Sequence, residues 1–233
     1  MIKKAWNYFS AGEKILWGVS VFIILVSFFA FDGKGYLTLS ASVIGVTSLI
    51  FNAKGNLAGQ ALMIVFSIIY GIISFGFAYY GEMITYVGMT MPMAIASFIT
   101  WFSNPYEKNE TEVKVNSLCK KEVVFMMFLT LIVTGVFYFI LDFFNTANIV
   151  PSTISVFTSF AAVYLTFRRS AYFTLAYAAN DIVLIVLWVM ASAENLSYIS
   201  VTICFAVFLV NDIYGFISWS KMKLRQQADR NAA

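Results

Sequence analysis

The stretch Ala171 to Ser192, AYFTLAYAANDIVLIVLWVMAS, decides the fold: it is 22 residues long and holds one charged side chain, Asp181. As a helix rising about 1.5 Å per residue it crosses the roughly 30 Å of hydrocarbon in a bilayer. Reading outward from it, apolar runs bounded by charge or turn clusters recur at 15–31, 36–52, 57–79, 83–103, 122–142, 149–167, 171–191 and 196–219. The chain is 61% hydrophobic and 12% charged, against about 25% charged in soluble domains. No ten-residue alternation of a membrane barrel is present, and in lipid a lone segment satisfies its backbone only as a helix. The expected fold is an all-α integral membrane protein with eight transmembrane helices.

The first run follows Lys3, Lys4 and Lys14, the flank of a signal peptide. Its length from 15 to 31 exceeds an h-region, and it ends in FFAFDG rather than a small-residue cleavage site, so it reads as a retained helix. Eight spans put both termini on one side. That side then carries fourteen of the fifteen Lys and Arg, and the other keeps Lys34 beside Asp32, Glu82, Asp142 and Glu194. The bias predicts cytoplasmic termini, and the net charge of +3 expresses topology rather than affinity for nucleic acid.

An internal repeat is visible. FITW (98–101) closes the fourth span as FISW (216–219) closes the eighth, and YYGE ending at Glu82 precedes the one as ASAE ending at Glu194 precedes the other. Residues 36–103 and 149–220 would then be two three-helix bundles. The intervening 104–148, a cytoplasmic loop and one linker helix, turns the second bundle the same way up as the first: a parallel 3+1+3 arrangement. Residues 1–35 add an extra N-terminal helix and 221–233 a basic cytoplasmic tail. An echoed Trp at the cytoplasmic side also fits an interfacial aromatic belt, and Trp101 is read here as such an anchor.

Function concentrates on two carboxylates. Asp181 and Asp212 each cost at least about 2.5 kcal/mol at the centre of a lone membrane helix, and no Lys, Arg or His lies inside any span. Protonation, hydrogen bonding to hydroxyls and amides, or a cation arriving from solution would each resolve the cost. The plainest alternative is that Asn180, Asp181, Asn211 and Asp212 only pin helices together. Helical spacing lays Thr174, Tyr177, Asp181, Leu184 and Trp188 along one stripe, and Asn211, Tyr214, Gly215 and Ser218 on one face of the last span. Gln60, Ser67, Gly71 and Ser74 share a stripe of the third span. Thr90, Met93 and Ser97 do so in the fourth, where Pro92 removes a backbone donor. Aromatic faces, amides and carboxylates without a cation suit a polar aromatic ligand, neutral or positive and free of phosphate.

An enzyme is not expected. The chain has no His, no H-E-x-x-H, no P-loop and no nucleophile elbow. Cys119 and Cys204 fall in a charged loop and an apolar run, a poor basis for a disulfide or metal site. No cofactor or metal is implied.

The stretches YYGEMITYVGMTMPM (79–93), YLTFRRSAYFTLAYAANDIVLIVLWVMAS (164–192) and VNDIYGFISW (210–219) resemble the PnuC family of bacterial vitamin B3 transporters, through nearly the whole chain. The resemblance implies a SWEET-like fold and a homotrimer in the bacterial inner membrane. It also implies facilitated diffusion of nicotinamide riboside by alternating access, with cytoplasmic phosphorylation trapping the nucleoside for NAD biosynthesis. The substrate would lie between the bundles, against Asn180, Trp188, Asn211, Tyr214, Tyr177 and Gln60, with Asp181 and Asp212 touching it or orienting their neighbours. Relatives carrying thiamine or riboflavin, and a proton-coupled nucleoside carrier, are the alternatives.

Overall fold

The computed structural model describes residues 8–76, 80–146 and 148–232; Lys3 and Lys4 lie outside them. Among these residues eight helices are long and apolar enough to cross a membrane: α1 Ala11–Asp32, α2 Tyr36–Ala53, α3 Leu57–Gly76, α4 Tyr80–Phe102, α5 Lys120–Phe143, α6 Ile149–Phe167, α7 Phe173–Ser192 and α8 Leu196–Asn231. The last continues well past residue 219, so the basic tail is helix at least to Asn231. The loop after α4 holds a short antiparallel hairpin, β1 Pro105–Tyr106 and β2 Asn109–Val113.

Local chemistry sets the helix ends. Ser10 and Glu13 form a capping box at the start of α1, with the Ser10 amide donating to Glu13 Oε2 at 2.6 Å. Helix α4 is not uniform: Thr85–Thr90 is π-helical, and Pro92 follows at the start of the α-helical segment Met91–Phe102. The wide turn accommodates the amide that proline lacks, where the sequence suggested an unsatisfied gap in mid-helix.

Helices α2 and α6 end in the same turn. After α2 the Asn56 amide donates to Phe51 O and the Gly55 amide to Asn52 O; after α6 the Ser170 amide donates to Leu165 O and the Arg169 amide to Thr166 O. Both are Schellman closures with a left-handed residue, Gly55 at φ 64° and Arg169 at φ 53°. Glycine takes that conformation freely, whereas Arg169 holds it at a cost of about 1–2 kcal/mol.

The helices meet as a ring. α2 packs on α3, α3 on α4, α4 on α6, α6 on α7, α7 on α8 and α8 back on α2. Exchanging α2, α3, α4 for α6, α7, α8 maps this cycle onto itself. α1 lies outside the ring on α2 and α8, as α5 lies on α6 and α4. Outward faces of α5 such as Phe125, Phe128, Phe139 and Phe143 are exposed, as lipid contact requires.

Both described ends of the chain lie at one end of the ring. Glu13 pairs with Lys54 at 3.1 Å, and Gln226, 1% exposed, accepts from the Val115 amide at 2.8 Å while donating to Glu112 Oε1 and Val113 O. Arg225 reaches the same Glu112, and Asp229 accepts from Tyr106 and Lys108. The far end of α8 is thus tied to the hairpin.

Candidate functional site

All six ring helices contribute to one central cavity of about 40 Å³, room for a water or two. From α7 come Tyr177, Asp181 and Leu184, three positions of the predicted stripe, with the neighbouring Asn180; α8 supplies Asp212, Phe205 and Phe208. Phe66 and Met63 enter from α3, Tyr86 and Thr90 from the π-helical turn of α4, Ser159 from α6, and Gly45 and Leu49 from α2. Gly45 is required there, because a Cβ would run into the Phe208 ring and press on Phe66.

The polar wall is asymmetric. Asn180 Oδ1 accepts from Ser155, Thr158 and Ser159 hydroxyls at 3.3, 2.8 and 3.0 Å. Its oxygen is consumed by α6, which leaves its NH₂ as the free hydrogen-bonding group. Asp181 and Asp212, each 4% exposed, face one another within hydrogen-bonding reach across α7 and α8. Asp181 Oδ2 finds no donor among the described residues, and the lining contains neither Lys nor Arg. The wall therefore offers a concentrated acceptor and an amide donor, framed by the rings of Phe66, Phe205 and Phe208 and by two phenols, Tyr86 and Tyr177.

Half of the sequence-derived candidates lie elsewhere. Gln60 donates to Asn52 Oδ1 at 2.8 Å, tying α3 to α2. Asn211 donates to Ser20 Oγ at 3.0 Å and to Val207 O, and Tyr214 donates to Glu13 Oε1 at 3.1 Å; both turn outward onto α1, beside Trp17, which donates to Thr47. Trp188 is buried one turn beyond the cavity, edge-on to Tyr198 at 5.5 Å and within reach of the Tyr70 hydroxyl. Periodicity groups residues on a face of α8 but does not say which helix lies across from it. Phe66, Tyr86, Phe205 and Phe208 escaped notice because aromatic residues in apolar helices look like lipid contacts. Their signal is the spacing of Phe66 and Tyr70, and of Phe205 and Phe208, on single helix faces.

Aromatic layers close the cavity on both sides. Away from the termini, Tyr70 meets Tyr86 at 4.4 Å and Phe205 at 6.1 Å. There Glu82, expected in an outer turn, is instead 7% exposed inside α4. Toward the termini Tyr177 packs on Phe173, and Phe173 on Trp101 and Trp219. Trp101 is no interfacial anchor: it is 2% exposed, its indole N–H donates to Thr166 O at 3.0 Å, and burial of that donor required a partner.

A model of the nicotinamide mononucleotide transporter family matches residues 35–221. The chain is 24% identical over 224 residues to the nicotinamide riboside transporter PnuC of Neisseria mucosa, covering 94% of this chain and 84% of that protein. It is 20% identical over 213 residues to the nicotinamide riboside transporter PnuC of Haemophilus influenzae, covering 91% of each. Among solved structures, the crystal structure of the vitamin B3 transporter PnuC superimposes with a TM-score of 0.80 at 23% identity, over 94% of each chain.

Proposed function

The chain belongs to the nicotinamide mononucleotide transporter family, the PnuC transporters, and on that premise we propose that it carries nicotinamide riboside by facilitated diffusion. One observation supports this most: a cavity at the centre of the ring is walled by Asp181, Asp212 and Asn180 among aromatic rings, with no Lys or Arg in its lining. The riboside brings a pyridinium cation for the carboxylates, ring faces for Tyr177, Tyr86 and Phe208, and a carboxamide or hydroxyls for the Asn180 NH₂. The mononucleotide would bring a phosphate to two carboxylates and no cation, so the riboside fits and its 5′-phosphate does not.

In this reading Tyr177, Asn180, Asp181 and Asp212 touch the substrate. Gln60, Asn211, Tyr214 and Trp188 hold the helices that carry them. Ligand pockets measure roughly 300–1,000 Å³, so the 40 Å³ void corresponds to a closed state that must part to admit a nucleoside. Residues 36–103 rocking against 149–220 would open it alternately to each side of the bacterial inner membrane, with the basic end cytoplasmic. Phosphorylation after entry would trap the product, and three copies would form the working assembly. Uptake of labelled riboside into proteoliposomes, challenged with thiamine, riboflavin and the 5′-phosphate, tests the reading. Competition by thiamine together with no riboside flux would overturn it. Flux that falls when a pH gradient is dissipated would replace facilitated diffusion with proton coupling.

A further inference from the structure

The two echoed tryptophans meet on the ring's axis. Trp101, at the end of α4, donates its indole N–H to Thr166 O at the end of α6 (3.0 Å); Trp219, in α8, donates to Asn52 O at the end of α2 (2.7 Å). Each carbonyl belongs to a Schellman turn and already accepts from the amide three residues on, Arg169 or Gly55. The two bonds are therefore equivalent under the exchange that maps the ring onto itself, and each crosses from one set of three helices to the other. The indoles touch at 5.4 Å and 49°, with Trp219 fully buried. Phe173 sits edge-on to Trp219 at 4.8 Å and, through Tyr177, forms the floor of the cavity.

We propose that Trp101 and Trp219 are the latch of the inner gate: both cross-bundle N–H···O=C bonds hold while the passage is shut toward the termini, and both break when it opens that way. A ring stack alone would plug the path, but the carbonyl bonds make the plug conformation-specific. An opening that separates α4 from α6 and α8 from α2 cannot keep either bond. Phenylalanine at both positions would keep the plug and remove the two donors. This inference rests on the alternating-access reading above and on no particular substrate.

The test follows a single thiol on the cavity wall, Ser159→Cys, with Cys119→Ser and Cys204→Ser removing the native thiols. Labelling by a membrane-impermeant maleimide is timed from the side of the termini in inside-out vesicles, and from the other side in right-side-out cells. Losing both bonds with Trp101→Phe and Trp219→Phe should speed labelling from the side of the termini by roughly five- to a hundredfold, and each single change by about the square root of that. Labelling from the opposite side should not rise. Unchanged labelling in the double variant, or an equal rise from both faces, would overturn the latch. As a second arm that does not depend on the double variant folding, Trp101→Cys with Trp219→Cys is joined by a short bis-methanethiosulfonate. Riboside uptake should stop and return on reduction, whereas undiminished uptake by cross-linked protein would refute the proposal. Riboside binding to the parent protein, measured by calorimetry, reports on the substrate alone, so failure of the substrate reading is distinguishable from failure of the latch.

Discussion

Replacing Asp181 with Asn isolates the electrostatic part of substrate recognition. The side chain keeps its shape, and its amide can still meet Asp212, which faces it across the cavity. What disappears is one carboxylate, with an oxygen that has no donor among the described residues. The pyridinium has no N–H to donate, so the pair acts through charge alone: at an effective dielectric constant of about 20, a carboxylate roughly 6–12 Å from the cation contributes about 1.4–2.8 kcal/mol, and affinity for the cationic riboside should fall roughly ten- to a hundredfold. The neutral dihydro form of the same nucleoside has nearly the same shape and no pyridinium charge, and its affinity should change by less than about threefold, under 1 kcal/mol. Removing one of two facing carboxyls also relieves like-charge contact, so the thermal midpoint in detergent should not drop. Calorimetry with both ligands provides the comparison. Equal losses for cation and neutral form, or no loss for either, would refute the assignment of the carboxyl pair to the charged ring.

Three further outcomes follow from the packing. Gly45→Ala forces a methyl against Phe208 and Phe66, and overpacking of this kind should cost about 1–3 kcal/mol, read as a lower thermal midpoint with weakened riboside binding. Asn211→Ala removes the tie to Ser20 and should lower stability by about 1 kcal/mol without changing riboside affinity, whereas Asn180→Ala should weaken binding; the reverse pattern would return Asn211 to the substrate wall. Gln226→Ala leaves the Val115 amide and Glu112 without their buried partner, a loss of about 1–3 kcal/mol, and should expose the 103–119 loop to limited proteolysis while α1–α4 stay protected.

Much of the fold was legible because lipid leaves few options. Runs long enough to cross hydrocarbon, and the sorting of Lys and Arg to one side, predict the eight helices that are found, since neither depends on tertiary contacts. Asp181 and Asp212 stood out for a similar reason: a carboxylate in lipid demands a partner, and the structure turns them toward each other. Asn211 and Tyr214 looked equivalent to them because the face of a helix is readable while its neighbour is not, and that neighbour is α1. Trp101 misled because an indole at a helix end has the same sequence signature in a membrane interface as in a buried carbonyl contact. The kink of α4 was half visible: Pro92 announced a missing donor, but the π-turn that absorbs it and brings Tyr86 and Thr90 to the cavity has no signature of its own.

The matched closures of α2 and α6, together with the like placement of α1 and α5, bear on how the gene is written. Each group of four helices grips the tip of a helix in the other, while only the 103–119 segment joins them covalently. The described ends of the chain and that segment share one face of the molecule. A circular permutant opened at the hairpin turn between Glu107 and Lys108, with the old ends spliced, would assemble the same ring, so the order in which the ribosome makes the two groups is incidental to the pathway they enclose.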